Sequence, residues 1–103
     1  MDTWSKLREE LIRVTGIKNV YYQPPSNVKM IFPCIRFKLD QTNVKYASNN
    51  THTMQMRYQI TYVSNSVNDS IIELLVTNLA YCSFDRIYVS DNLYHYVFII
   101  FYK

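Results

Sequence analysis

The chain has 103 residues, 49% of them hydrophobic and 18% charged, with a formal net charge of +3. That is the size and balance of a single globular domain, and it excludes an intrinsically disordered chain. The basic residues are scattered rather than run together, so the charge permits contact with a polyanion without arguing for a dedicated nucleic-acid binder.

The first predicted element is a helix from about Thr3 to Thr15. Asp2 or Thr3 supplies a short oxygen-bearing cap, and Trp4, Leu7, Leu11 and Val14 recur at three and four residues to make one narrow apolar stripe. Gly16, the only glycine in the chain, stands where a helix end needs a left-handed residue. Ile17 to Tyr22 reads as a short strand, ended by Pro24 and Pro25, neither of which can donate to a ladder. From Pro24 to Pro33 the chain reads as an extended loop. Met30, Ile31 and Phe32 are apolar within it, and they either fold back on the core or meet a partner.

Cys34 to Asp40 alternates, with Ile35, Phe37 and Leu39 on one side and Arg36, Lys38 and Asp40 on the other. Gln41 to Thr53 is polar and rich in Asn; it reads as a hairpin arm with few apolar residues, among them Val44 and Tyr46 beside Lys45. An arm with so little to bury is a candidate contact element. Met54 to Ser64 carries the clearest pattern in the chain. Met54, Met56, Tyr58, Ile60 and Tyr62 alternate with Gln55, Arg57, Gln59 and Thr61, which predicts a long strand central in its sheet.

A second helix follows, capped by Asn68 or Ser66 and running to near Tyr81. Its apolar face is Ile71, Leu74, Leu75 and Leu79, widened by Ile72 and Val76. Phe84 to Val89 reads as a strand, Asp91-Asn92 as a turn, and Leu93 to Tyr102 as the last strand. That last strand is apolar on both sides, with Val97, Ile99 and Phe101 on one and Tyr96, Phe98, Ile100 and Tyr102 on the other. Both sides are therefore expected to be covered, by a helix or by a neighbouring subunit. The expected fold is α+β, a mostly antiparallel sheet with two helices packed on it. The ten tyrosines suit half-buried sheet faces and subunit contacts, although a genome poor in G and C would raise the same count.

Chemistry leaves few marks. The only obvious bases, His52 and His95, have no nucleophile at a recognisable spacing, so no enzymatic activity is expected. Two Cys and two His far apart do not make a zinc site, and no glycine-rich loop is present to cradle a phosphate. Neither a metal nor a cofactor is therefore expected. Arg57 and Tyr58 point to opposite faces, so the alternating basic and aromatic pattern of a single-strand binder is not formed on the central strand. No apolar run approaches a membrane span, and the acidic N-terminus lacks the apolar core of a signal peptide. A cytoplasmic chain is expected, with Cys34 and Cys82 as packed free thiols.

Three short patterns carry a family resemblance. They are Tyr21-Tyr22-Gln23-Pro24-Pro25 followed by Phe32-Pro33-Cys34-Ile35, the long strand running into Asn68-Asp69-Ser70, and Phe84-Asp85-Arg86 followed by Asp91-Asn92-Leu93-Tyr94-His95-Tyr96-Val97-Phe98. In order and spacing they resemble tail terminator proteins of long-tailed bacteriophages, also called tail completion or head–tail joining proteins, over nearly the whole chain. The low glycine content and the very aromatic last strand depart from that family. The resemblance implies a virion protein of the tail neck, assembled in the host cytoplasm, with no catalytic residues. Its implied partners are other copies of itself in a hexameric ring, the tail tube protein, and the head connector or head-closure protein. DNA would pass through the ring without specific binding. A head–tail adaptor, a head-closure protein or a small nucleic-acid-binding module is the alternative. The expected contact residues are Met30, Ile31, Phe32, Val44, Lys45, Tyr46, Tyr96 and Phe98.

Overall fold

A computed structural model describes residues 3–24, 29–47 and 50–102, with 41–47 and 50–55 described through the backbone alone. The elements run α1 (Thr3–Thr15), β1 (Val20–Tyr22), β2 (Cys34–Ala47), β3 (Asn50–Ser64), α2 (Ser70–Asn78), β4 (Cys82–Ser90) and β5 (Leu93–Tyr102). Five strands form one sheet in the order β1-β2-β3-β5-β4. The β1–β2 pair is parallel and the rest are antiparallel, so the fold is α+β with a mostly antiparallel sheet. The strand with the strongest alternation, β3, is the middle one.

Both helices lie on the same face. Leu7 and Leu11 of α1 and Ile71 and Leu75 of α2 pack with Ile35, Phe37, Tyr58, Ile60, Tyr62, Tyr96, Phe98 and Ile100 into one cluster. Each such apolar side chain contributes roughly 1.5–3 kcal/mol when fully buried. The ends of the α1 stripe are half-buried: Trp4 stacks on Tyr22 with ring centroids 4.8 Å apart and planes 1° from parallel. Arg8 fastens the same helix to β1, its Nε donating to the Val20 carbonyl at 3.1 Å. Gly16 has φ +74° and donates its N–H to Ile12 O at 2.8 Å, the left-handed helix end expected from its position.

Two tyrosines have a specific place on this face. Tyr96 and Tyr62 bury their rings 5.7 Å apart while their hydroxyls reach the chain just before α2. The Tyr96 hydroxyl accepts from the Asn68 N–H at 2.9 Å and donates to Asp69 Oδ1 at 3.0 Å; the Tyr62 hydroxyl accepts from Asn68 Nδ2 at 3.1 Å. Apolar body and polar tip are both satisfied, as burial of a tyrosine requires.

Several boundaries differ from the sequence reading. Residues 17–19 are not in β1, because the chain leaves Gly16 through the Thr15 side chain, whose Oγ1 accepts from the Ile17 N–H at 3.1 Å. Neither Asn68 nor Ser66 caps α2: Asp69 stands at that position without a side-chain cap bond, and Asn68 is held by the two tyrosines instead. The helix stops at Asn78 rather than near Tyr81, since Leu79 is already extended and Tyr81 has φ 59°. Val76 faces outward instead of widening the buried stripe. Thr61, expected on a solvated face, is buried. The arm is a paired ladder whose register shifts between Leu39 and Gln41 and between Lys45 and Tyr46: β2 and β3 stay paired out to Ala47 and Asn50, whereas β1 leaves β2 at Phe37 and β5 leaves β3 at Met56. At about 3.3 Å per residue the 15 residues of β3 reach roughly 50 Å, which accounts for the long dimension of a 51 × 30 × 23 Å molecule.

Candidate functional site

Two surfaces of the sheet are left without a layer of their own. The first is the outer edge, β4. Asp91 and Asn92 both have positive φ (53° and 62°), the tight two-residue turn that matches strand twist and folds β4 onto β5. Of the nine residues of β4 only Cys82 is buried. A shift of register between Phe84 and Arg86 inserts Asp85, so Phe84 lies opposite Phe98 and Ile87 opposite Tyr96 on the helix side. The helices cover only the start of this edge, where Cys82 is buried. Phe84, Ile87 and Val89 remain 37%, 45% and 63% exposed. Soluble proteins usually blunt a long apolar edge with charge, and here only Asp85 and Arg86, paired with each other at the bulge, do so.

The second surface is the sheet face away from the helices. The same bulge turns Arg86 and Tyr88 to this side, opposite Val97 and His95. The Tyr88 and His95 rings stack 4.6 Å apart and 9° from parallel, and the Arg86 guanidinium lies 5.9 Å from the Tyr88 centroid. Next to them is a groove of about 540 Å³, lined among others by Arg36, Lys38, Gln59, Thr61 and Tyr88. Further along, Arg57 meets Asp40 at 3.3 Å. Val97, expected to need an outside cover, is fully buried on this face between its cross-strand neighbours Thr61 and Arg86.

The expected contact residues separate into three groups. Ile31 and Phe32 are 64% and 39% exposed and Met30 is half-buried, so this loop is an apolar surface; the Ile31 N–H donates to the Tyr21 hydroxyl at 3.5 Å. Val44, Lys45 and Tyr46 have paired backbone within β2, but their side chains lie outside the described residues, as does that of His52. Residues Asp2, Pro25, Ser26 and Asn27 also lie outside them. Tyr96 and Phe98 correct the sequence reading. Both are fully buried beneath the helices, because β5 sits one strand in from the edge and its helix side is covered within the domain.

No family model and no curated protein matches the chain.

The groups with altered titration lie on structural positions. Burial raises the Cys34 thiol and pushes Cys82 up to about 11, so both free thiols stay protonated near neutrality. Burial also lowers His95, opposed by its contact with the Leu93 carbonyl and reinforced by the Arg36 charge. A lowered folded pKa means that the unfolded chain binds the extra proton first, so stability is complete above the ordinary His value and falls as pH drops below it. Wild-type protein is therefore expected to melt at a lower temperature at pH 5.5 than at pH 7.5, with His95→Gln showing a smaller drop. Equal drops in calorimetric melts of the two proteins would remove His95 as the cause. Among the described residues no three His, Cys, Asp or Glu side chains gather into a cluster, and none of the helices is long and apolar enough to cross a membrane.

Sequence reasoning missed the exposed apolar side of β4 and missed the open face altogether. The open face draws its cations from β2 and its rings from β4 and β5, so no single strand carries the pattern.

Proposed function

We propose that this chain is a ring-forming structural protein of a phage tail neck, a tail terminator that ends tube growth and joins the tail to the head connector. The observation that carries the reading is the edge strand β4, whose Phe84, Ile87 and Val89 one copy leaves exposed. The apolar loop bearing Ile31 and Phe32 follows β1, at the opposite edge of the same sheet. Two different surfaces at opposite edges favour a head-to-tail contact over a two-fold one, and a head-to-tail contact that closes gives a ring. Apolar surface of this kind marks a contact on a soluble protein. The order of elements and the three sequence patterns that resemble tail terminators support the same assignment, and the resemblance supplies the six-fold count. Weak association between free copies suits the role, since the ring is then completed on the tube's end.

The test is to add purified protein to growing tail tubes and image them by electron microscopy. A six-fold ring at one end, with elongation halted, is the expected result. Tubes that keep lengthening with no added density at the tip would refute the assignment.

A further inference from the structure

We infer that the open sheet face around Arg36 and Lys38 is a contact site for the phosphate backbone of duplex DNA, independent of base sequence. Charge and geometry within one copy suffice for such a site, with or without a ring.

The cations of this face are of two kinds. Arg57 is beside Asp40, and Arg86 beside Asp85. Among the described residues, Arg36 and Lys38 pair with no carboxylate, so they leave the groove with net positive charge. The Arg36 charge is not dissipated in solvent: it is half-buried and acts on both Cys34 and His95. The two cations stand two residues apart on β2, about 6.6 Å along the strand, so both can meet one duplex backbone, on which the charges of each strand recur every ~3.4 Å of helix axis. Gln59 and Thr61 of β3 add hydrogen-bonding groups to the same wall. A guanidinium fork, an ammonium and neutral polar groups are the usual makers of phosphate contacts.

Pro24, Phe37 and Leu39 also line the groove, but Phe37 is fully buried and the charge of the wall comes from Arg36 and Lys38. A polyanion therefore suits it better than a protein partner, whose binding would centre on a buried aromatic or aliphatic anchor. A single strand would need open ring faces on which to stack. Of the two rings at the groove, Phe37 is fully buried and Tyr88 is already engaged by His95 and Arg86. What remains is backbone contact, which is non-specific and salt-dependent.

Labelled duplex DNA titrated against the purified chain, read by fluorescence anisotropy over a series of salt concentrations, tests this. Binding no tighter than roughly micromolar at physiological salt is expected. Arg36→Gln with Lys38→Gln should weaken it at least tenfold at low salt and reduce the salt slope by roughly 1.8, about 0.9 for each phosphate no longer neutralised. Lys38→Glu alone, at an exposed position, should weaken it as well and guards against misfolding of the double variant. Lys6→Gln with Lys18→Gln removes the same charge away from this face and should change affinity less than twofold. Inorganic phosphate should displace the duplex no better than chloride at equal ionic strength. The proposal is overturned if the Arg36 and Lys38 variants bind as wild type does, or if the control pair weakens binding as much. Tighter binding of single strands, displacement by poly-glutamate as effective as by DNA, or sequence-selective nanomolar affinity would overturn it too.

Discussion

Phe98→Ala is expected to destabilise the isolated domain by about 3–5 kcal/mol, the range for removing a buried phenyl ring and leaving a cavity. At roughly 4–8 °C per kcal/mol for a domain of this size, the melting temperature should fall by more than about 12 °C. The side chain has no exposure, lies in the cluster formed by both helices, and meets Phe84 edge-on with centroids 5.5 Å apart. Phe84 lies on the exposed edge strand, so the substitution would also loosen the strand proposed to meet the next copy. Calorimetry or denaturant unfolding of the free protein checks this. A variant that melts with wild type but fails only in assembly would restore Phe98 as a contact residue and put the arrangement of β5 in doubt.

The same residue shows where the sequence stops being informative. A strand apolar on both sides has to be covered on both sides, but the pattern does not say by what. For Tyr96 and Phe98 the cover is α1 and α2 of the same chain; for Val97 it is the neighbouring strands. Local signals were sufficient for the limits of α1, for the turn at Asp91-Asn92 and for the length of β5, because Gly16, the Asp91-Asn92 pair and the apolar run from Tyr96 to Tyr102 each act within a few residues. The parallel pairing of Val20 with Ile35 depends on the whole loop between them, and no short pattern encodes it. The bulge at Asp85 was equally hidden. It reverses which side of β4 faces the helices, and it alone places Tyr88 beside His95 and the groove. For Met30, Ile31 and Phe32 the sequence leaves two outcomes open, folding back on the core or meeting a partner, and the exposure of Ile31 and Phe32 keeps those two out of the core.

Deleting Asn43 to Thr51 is expected to leave the melting temperature within a few degrees of wild type and to abolish capping of tail tubes. Over 41–47 and 50–55, β2 and β3 are paired with each other and with no other strand, so the deletion removes no ladder bond to the rest of the sheet. The remaining chain closes easily. Thr42 and Met56 are already partners, and joining Thr42 to His52 leaves four residues between them, within the usual hairpin range of about 2–5. A two-stranded ribbon without a third strand is at best marginally stable by itself, so a free arm contributes little to the domain and is well placed to be completed by another subunit or by the tube. The decisive readout is the separation of the two effects. Circular dichroism melts should coincide while electron micrographs show uncapped, lengthening tubes. A fall in melting temperature comparable to that of Phe98→Ala would make the arm part of the folding unit, and capping by the shortened protein would leave the edge of β4 and the loop at Ile31 and Phe32 to hold the ring without it.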